Sequence, residues 1–180
     1  VFCNTKSMVD ELTADLNAAG FRAVALHGDL KQSQRNAVMT EFKNGRSNLL
    51  VATDVAARGL DVEDVEAVFN YDIPQEFEYY IHRIGRTGRA GRKGASYTLC
   101  GNRSQEARLR EIERYIKAPI ESREVPSIED IRASRLGGFA TELREAVNEN
   151  AGEDWADFVA QLAAEGYDPA ALAAVLCARL

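Results

Sequence analysis

The sequence predicts an α/β fold, a parallel sheet with helices on both faces, followed by a small α-helical extension. Up to about residue 117, short apolar runs alternate with stretches whose apolar residues recur at helical spacing, and that alternation implies a sheet covered on both sides. Beyond Pro119 and Pro126 the strand pattern does not return, and only helical periodicity remains. Charge divides in the same way. Residues 1–136 carry 20 basic and 20 acidic side chains, whereas 137–180 carry 2 and 8, so the net charge of −6 sits in the tail.

Each element follows from local pattern. Val1-Phe2-Cys3 reads as the end of a buried strand, and the chain opens without methionine, as an excised fragment would. Ser7 is expected to cap a helix carrying Met8, Leu12, Leu16 and Ala19, with Gly20 as its stop. A strand over 21–26, a helix over 33–43 begun by Ser33 and closed by Gly45, and a strand over 48–53 come next. Strands over 65–71 and 95–100 then frame a short helix over 75–83, and a helix over 104–117 ends the α/β part. Residues 121–138 read as an irregular crossing linker that Gly137-Gly138 separates from three short amphipathic helices over 139–180. The first presents Phe139, Leu143 and Val147, and the second Trp155, Phe158, Val159 and Leu162. The third opens at Asp168-Pro169 and carries Leu172, Val175, Leu176 and Leu180.

The chain's 180 residues suffice for one full-sized domain and an appendage. No apolar run is long enough to span a membrane, and no secretory signal is present, so no membrane partner is expected. Cys3, Cys100 and Cys177 are odd in number and far apart, which argues against a disulfide framework or zinc site and predicts a reducing, cytoplasmic setting.

The segment His82 to Lys93 packs five Lys or Arg side chains and three glycines into twelve residues, and no Asp or Glu occurs from Tyr79 to Gln105. Guanidinium forks match phosphate oxygens, and glycines let a backbone approach a ligand closely. A solvated loop would account for the charge but not for the glycines. Alone, the run says phosphate.

Three other segments stand in order before it. They are Val1-Phe2-Cys3-Asn4-Thr5-Lys6, His27-Gly28-Asp29-Leu30-Lys31-Gln32-Ser33-Gln34-Arg35 and Ala52-Thr53-Asp54-Val55-Ala56-Ala57-Arg58-Gly59-Leu60-Asp61. With His82-Arg83-Ile84-Gly85-Arg86-Thr87-Gly88-Arg89, this ordered set closely resembles the second RecA-like domain of DEAD-box ATP-dependent RNA helicases, over residues 1 to about 120. The extension resembles that of the bacterial cold-shock type.

The resemblance implies roles residue by residue. Arg86 and Arg89 match arginine fingers that meet charge developing on the γ-phosphoryl group of ATP. Arg58 and Asp61 match nucleotide contacts, the carboxylate reaching the ribose, although a loop cap would also explain Asp61. Thr5, Gly28, Arg35 and Thr53 match contacts to the RNA backbone, with Gln32 expected to brace Arg35. Gln32, Asp54, His82 and Arg83 are assigned to interdomain coupling, Arg83 and His82 either touching the partner domain or bracing the segment that ends at Asp61. The chain has no G-x-x-x-x-G-K-[ST] and no D-E-A-D, so the ATP phosphates and Mg²⁺ are expected on an amino-terminal RecA-like domain and the chain alone is expected to be inactive as an ATPase. Two other readings stay open: a non-enzymatic RNA-binding and oligomerisation module on a helicase-like scaffold, or half of a sister-family DNA helicase. For 139–180, packing onto its own domain and homodimerisation are equally expected.

Overall fold

Five parallel strands in the order β2-β3-β1-β4-β5 form the sheet. They are β1 (Phe2–Cys3), β2 (Ala23–Leu26), β3 (Leu49–Thr53), β4 (Ala67–Asn70) and β5 (Ala95–Thr98). The computed structural model describes residues 1–58, 62, 65–88, 91–149 and 151–177. Helices α1 (Lys6–Ala18), α2 (Gln32–Lys43), α3 (Asp54–Ala57), α4 (Phe77–Ile84) and α5 (Arg103–Ile116) lie between and after the strands. The chain leaves central β1 for β2, returns through β3 and then crosses to β4, so its direction of winding reverses at β1. Ligands of open parallel sheets collect at such a reversal, beyond the carboxyl ends of the strands.

Alternation along the strands makes two cores. One face puts Cys3, Ala23 and Val51 against Val9 of α1, with Met8, Leu12 and Leu16 around them, and the other puts Leu26 and Ala52 against Ala56, Val38 and Met39. Helix α1 ends before Gly20, and Asn17 then pins β2 by exchanging two hydrogen bonds with the backbone of Ala23, at 2.9 and 3.0 Å.

Two helix starts differ from expectation. Thr5, not Ser7, caps α1, its hydroxyl accepting from the Met8 N–H at 3.2 Å, because the chain turns helical one residue after leaving β1. Lys31 occupies the cap of α2, where Gln34 accepts from its N–H at 2.9 Å, so Ser33 lies inside the first turn. The one-turn helix α3 had no periodic signal, being too short to show one.

The chain divides into two compact units, Val1–Glu121 and Ser122–Leu180. The second contains α6 (Ile128–Asn148), a 3-10 turn (Glu153–Trp155), α7 (Ala156–Ala164) and α8 (Pro169–Cys177). Helix α6 runs through Gly137-Gly138, which corrects the irregular linker expected up to 138. Ser127 and Asp130 form a reciprocal capping box at its start. Each interior glycine costs about 1 kcal/mol against alanine, a penalty that the surrounding Ala, Leu, Arg and Glu residues of a 21-residue helix absorb. Trp155 and Phe158 meet edge to face at 6.4 Å, yet no described residue of this unit is buried. Among the described residues no helix is long and apolar enough to cross a membrane.

Leu26 is completely buried where β2 meets α2 and α3. Leu26→Ala should cost about 2–5 kcal/mol of unfolding free energy, read from the midpoint of urea denaturation with an unchanged slope.

Candidate functional site

Asn4 and Thr5 follow β1, His27 and Gly28 follow β2, Asp54 follows Thr53 at the end of β3, and Asp72 follows β4. Sequence segments far apart are thus brought to one edge of the sheet. Arg83, from the last turn of α4, holds them there although it is only 1% exposed. Its Nε and Nη2 donate to the two carboxylate oxygens of Asp54, both at 2.7 Å. Nη2 also donates to Asn4 Oδ1 at 2.8 Å, and Nη1 to the Asp72 carbonyl at 2.6 Å and Asn70 Oδ1 at 3.4 Å. The Phe2 ring lies 5.2 Å from the guanidinium. A buried cation is tolerable only when paired and hydrogen-bonded, and the fork geometry of arginine supplies both. Of the two roles expected for Arg83, its burial leaves the brace: it holds Asp54 from within and presents no surface to a partner domain.

Asn4 extends the junction. Its N–H donates to Asp72 Oδ2 and its Nδ2 to the Ile73 carbonyl, each at 2.9 Å. Burial and the nearby Asp72 carboxylate push the Cys3 thiol up to about 11, so at neutral pH it is core packing and not a nucleophile.

A two-rung clasp joins α1 to the loop after β2. Lys6 pairs with Asp29 at 2.6 Å, and one turn further along α1 Asp10 meets His27 Nε2 at 3.0 Å. The Lys6 hydrogen bond lowers the Asp29 pKa. His27 is buried and its Nδ1 has no partner. Gly28 lies between the two clasp residues of the loop. A Cβ there would meet nothing within 4 Å, and its φ is not positive. The fold itself therefore does not require glycine at 28. Sequence reading did not single out the His27–Asp10 rung; an ion pair between distant segments leaves no local periodic trace.

Thr53 occupies the cap position of α3 without its hydroxyl making the cap bond. Arg35, half-buried in the first turns of α2, donates from Nη2 to the Ala56 carbonyl at 3.0 Å. Gln32 does not brace it; its amide donates to Asn36 at 2.9 Å, the neighbour one turn along the same helix. Arg58 lies 4.7 Å over the Tyr79 ring, and His82 is exposed on α4.

The arginine-glycine run begins at the end of α4. Because α4 runs back against the strand direction, Arg86 and Thr87 arrive at the segment leading into β4. Arg86 Nη1 contacts the Val62 carbonyl at 3.5 Å, its own carbonyl accepts from Val65 N–H at 3.2 Å, and the Thr87 hydroxyl donates to Glu66 at 3.1 Å. Among the described arginines of this run, Arg83 is the one whose side chain bonds residues at the carboxyl edge. At Gly94 a Cβ would lie 2.3 Å from Gly88 N, so the loop closes on itself there and needs a glycine. Asp61 and Arg89 lie outside the described residues. A hollow of about 610 Å³, lined largely by apolar residues such as Phe42, Leu50 and Phe69 with Arg86 at its margin, lies towards the amino ends of the strands, away from the edge that carries the other motifs. Among the described residues no cluster of His, Cys, Asp or Glu could hold a metal ion.

Residues 1–91 match the helicase conserved C-terminal domain, and residues 126–180 match the RNA helicase DeaD dimerization domain. The ATP-dependent RNA helicase CshA of Listeria monocytogenes is 42% identical over 176 residues, covering 98% of this chain and 34% of that protein. The crystal structure of the E. coli DEAD-box protein SrmB bound to regulator of ribonuclease activity A superposes with a TM-score of 0.65 at 44% identity, covering 69% of this chain and 72% of that one. That of S. cerevisiae Dbp5 bound to RNA and ADP BeF3 superposes with a TM-score of 0.65 at 35% identity, covering 75% and 36%. The chain spans about a third of the length of the curated relatives it matches.

Removing Asp54 strands the buried Arg83 cation, and removing Arg83 leaves the Asp54 carboxylate, 18% exposed, without its fork. Arg83→Ala and Asp54→Ala should each destabilise the chain by about 3–5 kcal/mol, and the double variant by much less than their sum. A double-mutant cycle in chemical denaturation reads this coupling, and strict additivity would show that the two side chains do not act as a pair.

Proposed function

Since the chain belongs to the helicase conserved C-terminal domain family and is the C-terminal RecA-like domain of a DEAD-box RNA helicase, we propose that it serves ATP-driven unwinding of short RNA duplexes by gripping the RNA backbone along its carboxyl edge. Gly28 carries this reading: it is a glycine that the fold does not require, flanked by a clasp, on the edge where Thr5 and Thr53 present hydroxyls and Arg35 a guanidinium. Backbone N–H groups, hydroxyls and one arginine fix a strand by its phosphates without reading its bases. The related Dbp5 structure contains RNA and a nucleotide, which supports the assignment.

For ATP, Arg86 and Arg89 act as fingers that stabilise charge on the transferred phosphoryl group, while Arg58 and Asp61 hold the nucleotide from this side. The chain contains no phosphate-cradling glycine-lysine loop, so ATP phosphates and Mg²⁺ are held by an amino-terminal RecA-like domain. Gln32, Asp54 and His82 couple the two domains, Asp54 through the position that Arg83 gives it. ATP and RNA both favour the closed pair of domains, and hydrolysis removes one of those differential contacts and reopens it.

In the complete enzyme Arg86→Ala or Arg89→Ala should cut RNA-stimulated phosphate release by about 10³–10⁵-fold with RNA affinity retained. Arg35→Ala and Gly28→Ala should do the reverse, weakening RNA binding at an unchanged melting midpoint, and Arg35→Ala should lower the salt slope by about 1. The 180-residue chain by itself should release no phosphate; RNA-stimulated turnover by it would overturn the two-domain assignment. Unchanged turnover in Arg89→Ala would remove that residue from the fingers.

The second unit is proposed to pair two copies of the protein. Trp155, Phe158 and Leu176 are 67%, 53% and 64% exposed, the residues match a dimerization domain, and the acidic side chains can stay outward across a twofold axis. Trp155→Ala with Leu162→Ala should weaken the dimer by about 2 kcal/mol or more, measured by sedimentation velocity over a concentration series. A monomer at high micromolar concentration in the unaltered protein would exclude pairing.

A further inference from the structure

Helix α5 carries a cationic stripe that neither the sheet edge nor the nucleotide uses. Arg103, Arg110 and Arg114 stand at i, i+7 and i+11, which places all three on one side of the helix over about 16 Å, and Lys117, the left-handed C-terminal cap residue, follows at the end. All four are exposed. The rotational setting of α5 is fixed from its opposite side, where Ile112 is completely buried, Tyr115 packs on Phe77 at 5.2 Å and Arg108 lies 4.1 Å over the same ring. The stripe therefore points outward by construction.

The acids of the helix are turned to other work. Glu111 pairs with Arg108 at 2.9 Å, and Glu113 accepts from the Ile120 N–H at 2.9 Å. Only Glu106 meets the stripe, at 3.7 Å from Arg110. Among the described residues Arg103 and Lys117 have no hydrogen-bond or ion-pair partner. Glu106 and Glu113 stand beside the stripe at three- and four-residue spacing. Here Arg110 and Arg114, and then Arg114 and Lys117, are like-charged neighbours, which destabilises an isolated helix. Arg103 in the first turn also opposes the helix dipole. The face therefore keeps a net positive charge, with Glu106 alone paired to it, and would attract an anion.

We propose that the outward face of α5 is a second contact for the RNA phosphodiester backbone, separate from the sheet edge and engaging RNA that extends beyond it. The helix leaves the carboxyl end of β5, at the far side of the sheet from β2, so nucleotides seated by Gly28 and Thr53 do not fill it. Three guanidinium groups along one line, with an ammonium group at its end, suit a ladder of phosphates and read no sequence. The assignment rests on the RNA reading above, and its test separates the two.

In the full-length protein, fluorescence anisotropy compares a single strand of about six nucleotides with the same strand extended by a hairpin duplex, and with an all-single-stranded RNA of equal length. The fourfold variant Arg103→Gln, Arg110→Gln, Arg114→Gln, Lys117→Gln should bind the extended RNAs about tenfold more weakly, with the salt slope reduced by about 3, and the short strand as before. The duplex and single-stranded arms show which form of RNA fills the stripe. A variant with Lys at the three arginine positions should retain binding, and Arg110→Gln alone should give a fraction of the loss in a protein whose fold is hardly perturbed. Equal loss on the short and extended RNAs, or no loss on either while the unaltered protein binds both, would overturn the proposal. Failure of the unaltered protein to bind any of these RNAs would overturn the RNA reading and this one with it. A fourfold variant that binds RNA normally but sediments differently would assign the stripe to an acidic protein surface instead.

Discussion

The carboxyl edge depends on one buried side chain. Arg83 touches residues contributed by β1, β3 and β4 or the turns after them, so the relative height of three strand ends is set by a single guanidinium. A cation in a low-dielectric interior is costly unless every donor is matched, and the Asp54 carboxylate together with the oxygens of Asn4, Asn70 and Asp72 supplies that match. The consequence reaches function through position. Asp54 immediately follows Thr53, and Asn4 immediately precedes Thr5, so two hydroxyls assigned to RNA are neighbours of residues that Arg83 immobilises.

The clasp between α1 and the loop after β2 performs the equivalent task further along the edge. Its two rungs join Lys6 to Asp29 and Asp10 to His27, so two points one turn apart on α1 hold the loop. Gly28 is held between them with its Cα face open. Under the proposed RNA reading, a loop ordered in this way before binding lowers the entropy cost of gripping a strand.

The helical unit shows the opposite economy. Ser127 caps α6 and Asp168 caps α8, yet none of the unit's described residues is buried, and its aromatic pair at Trp155 and Phe158 remains largely in water. Few helices of this length can cover an apolar stripe by themselves. Burial against a second copy would complete what the unit leaves open.

The alternation of strand and helix patterns determined the fold class from the sequence alone, because period is a local property of a chain, and the order of the four motif segments carried the resemblance to the family. Helix stops at Gly20 and Gly45 were legible for the same reason. Only the tertiary structure decided that Thr5 and not Ser7 caps α1, that Gly137-Gly138 lies inside a helix, and that Gln32 turns to Asn36 while Arg35 turns to Ala56. Those choices depend on where the chain leaves a neighbouring strand and on which partner lies within hydrogen-bond reach. The same holds for Arg83, which reads in the sequence as one cation of a phosphate-binding run. Burial at 1% exposure beside Asp54 makes it a brace, and burial is a property of the assembled fold that no run of residues contains.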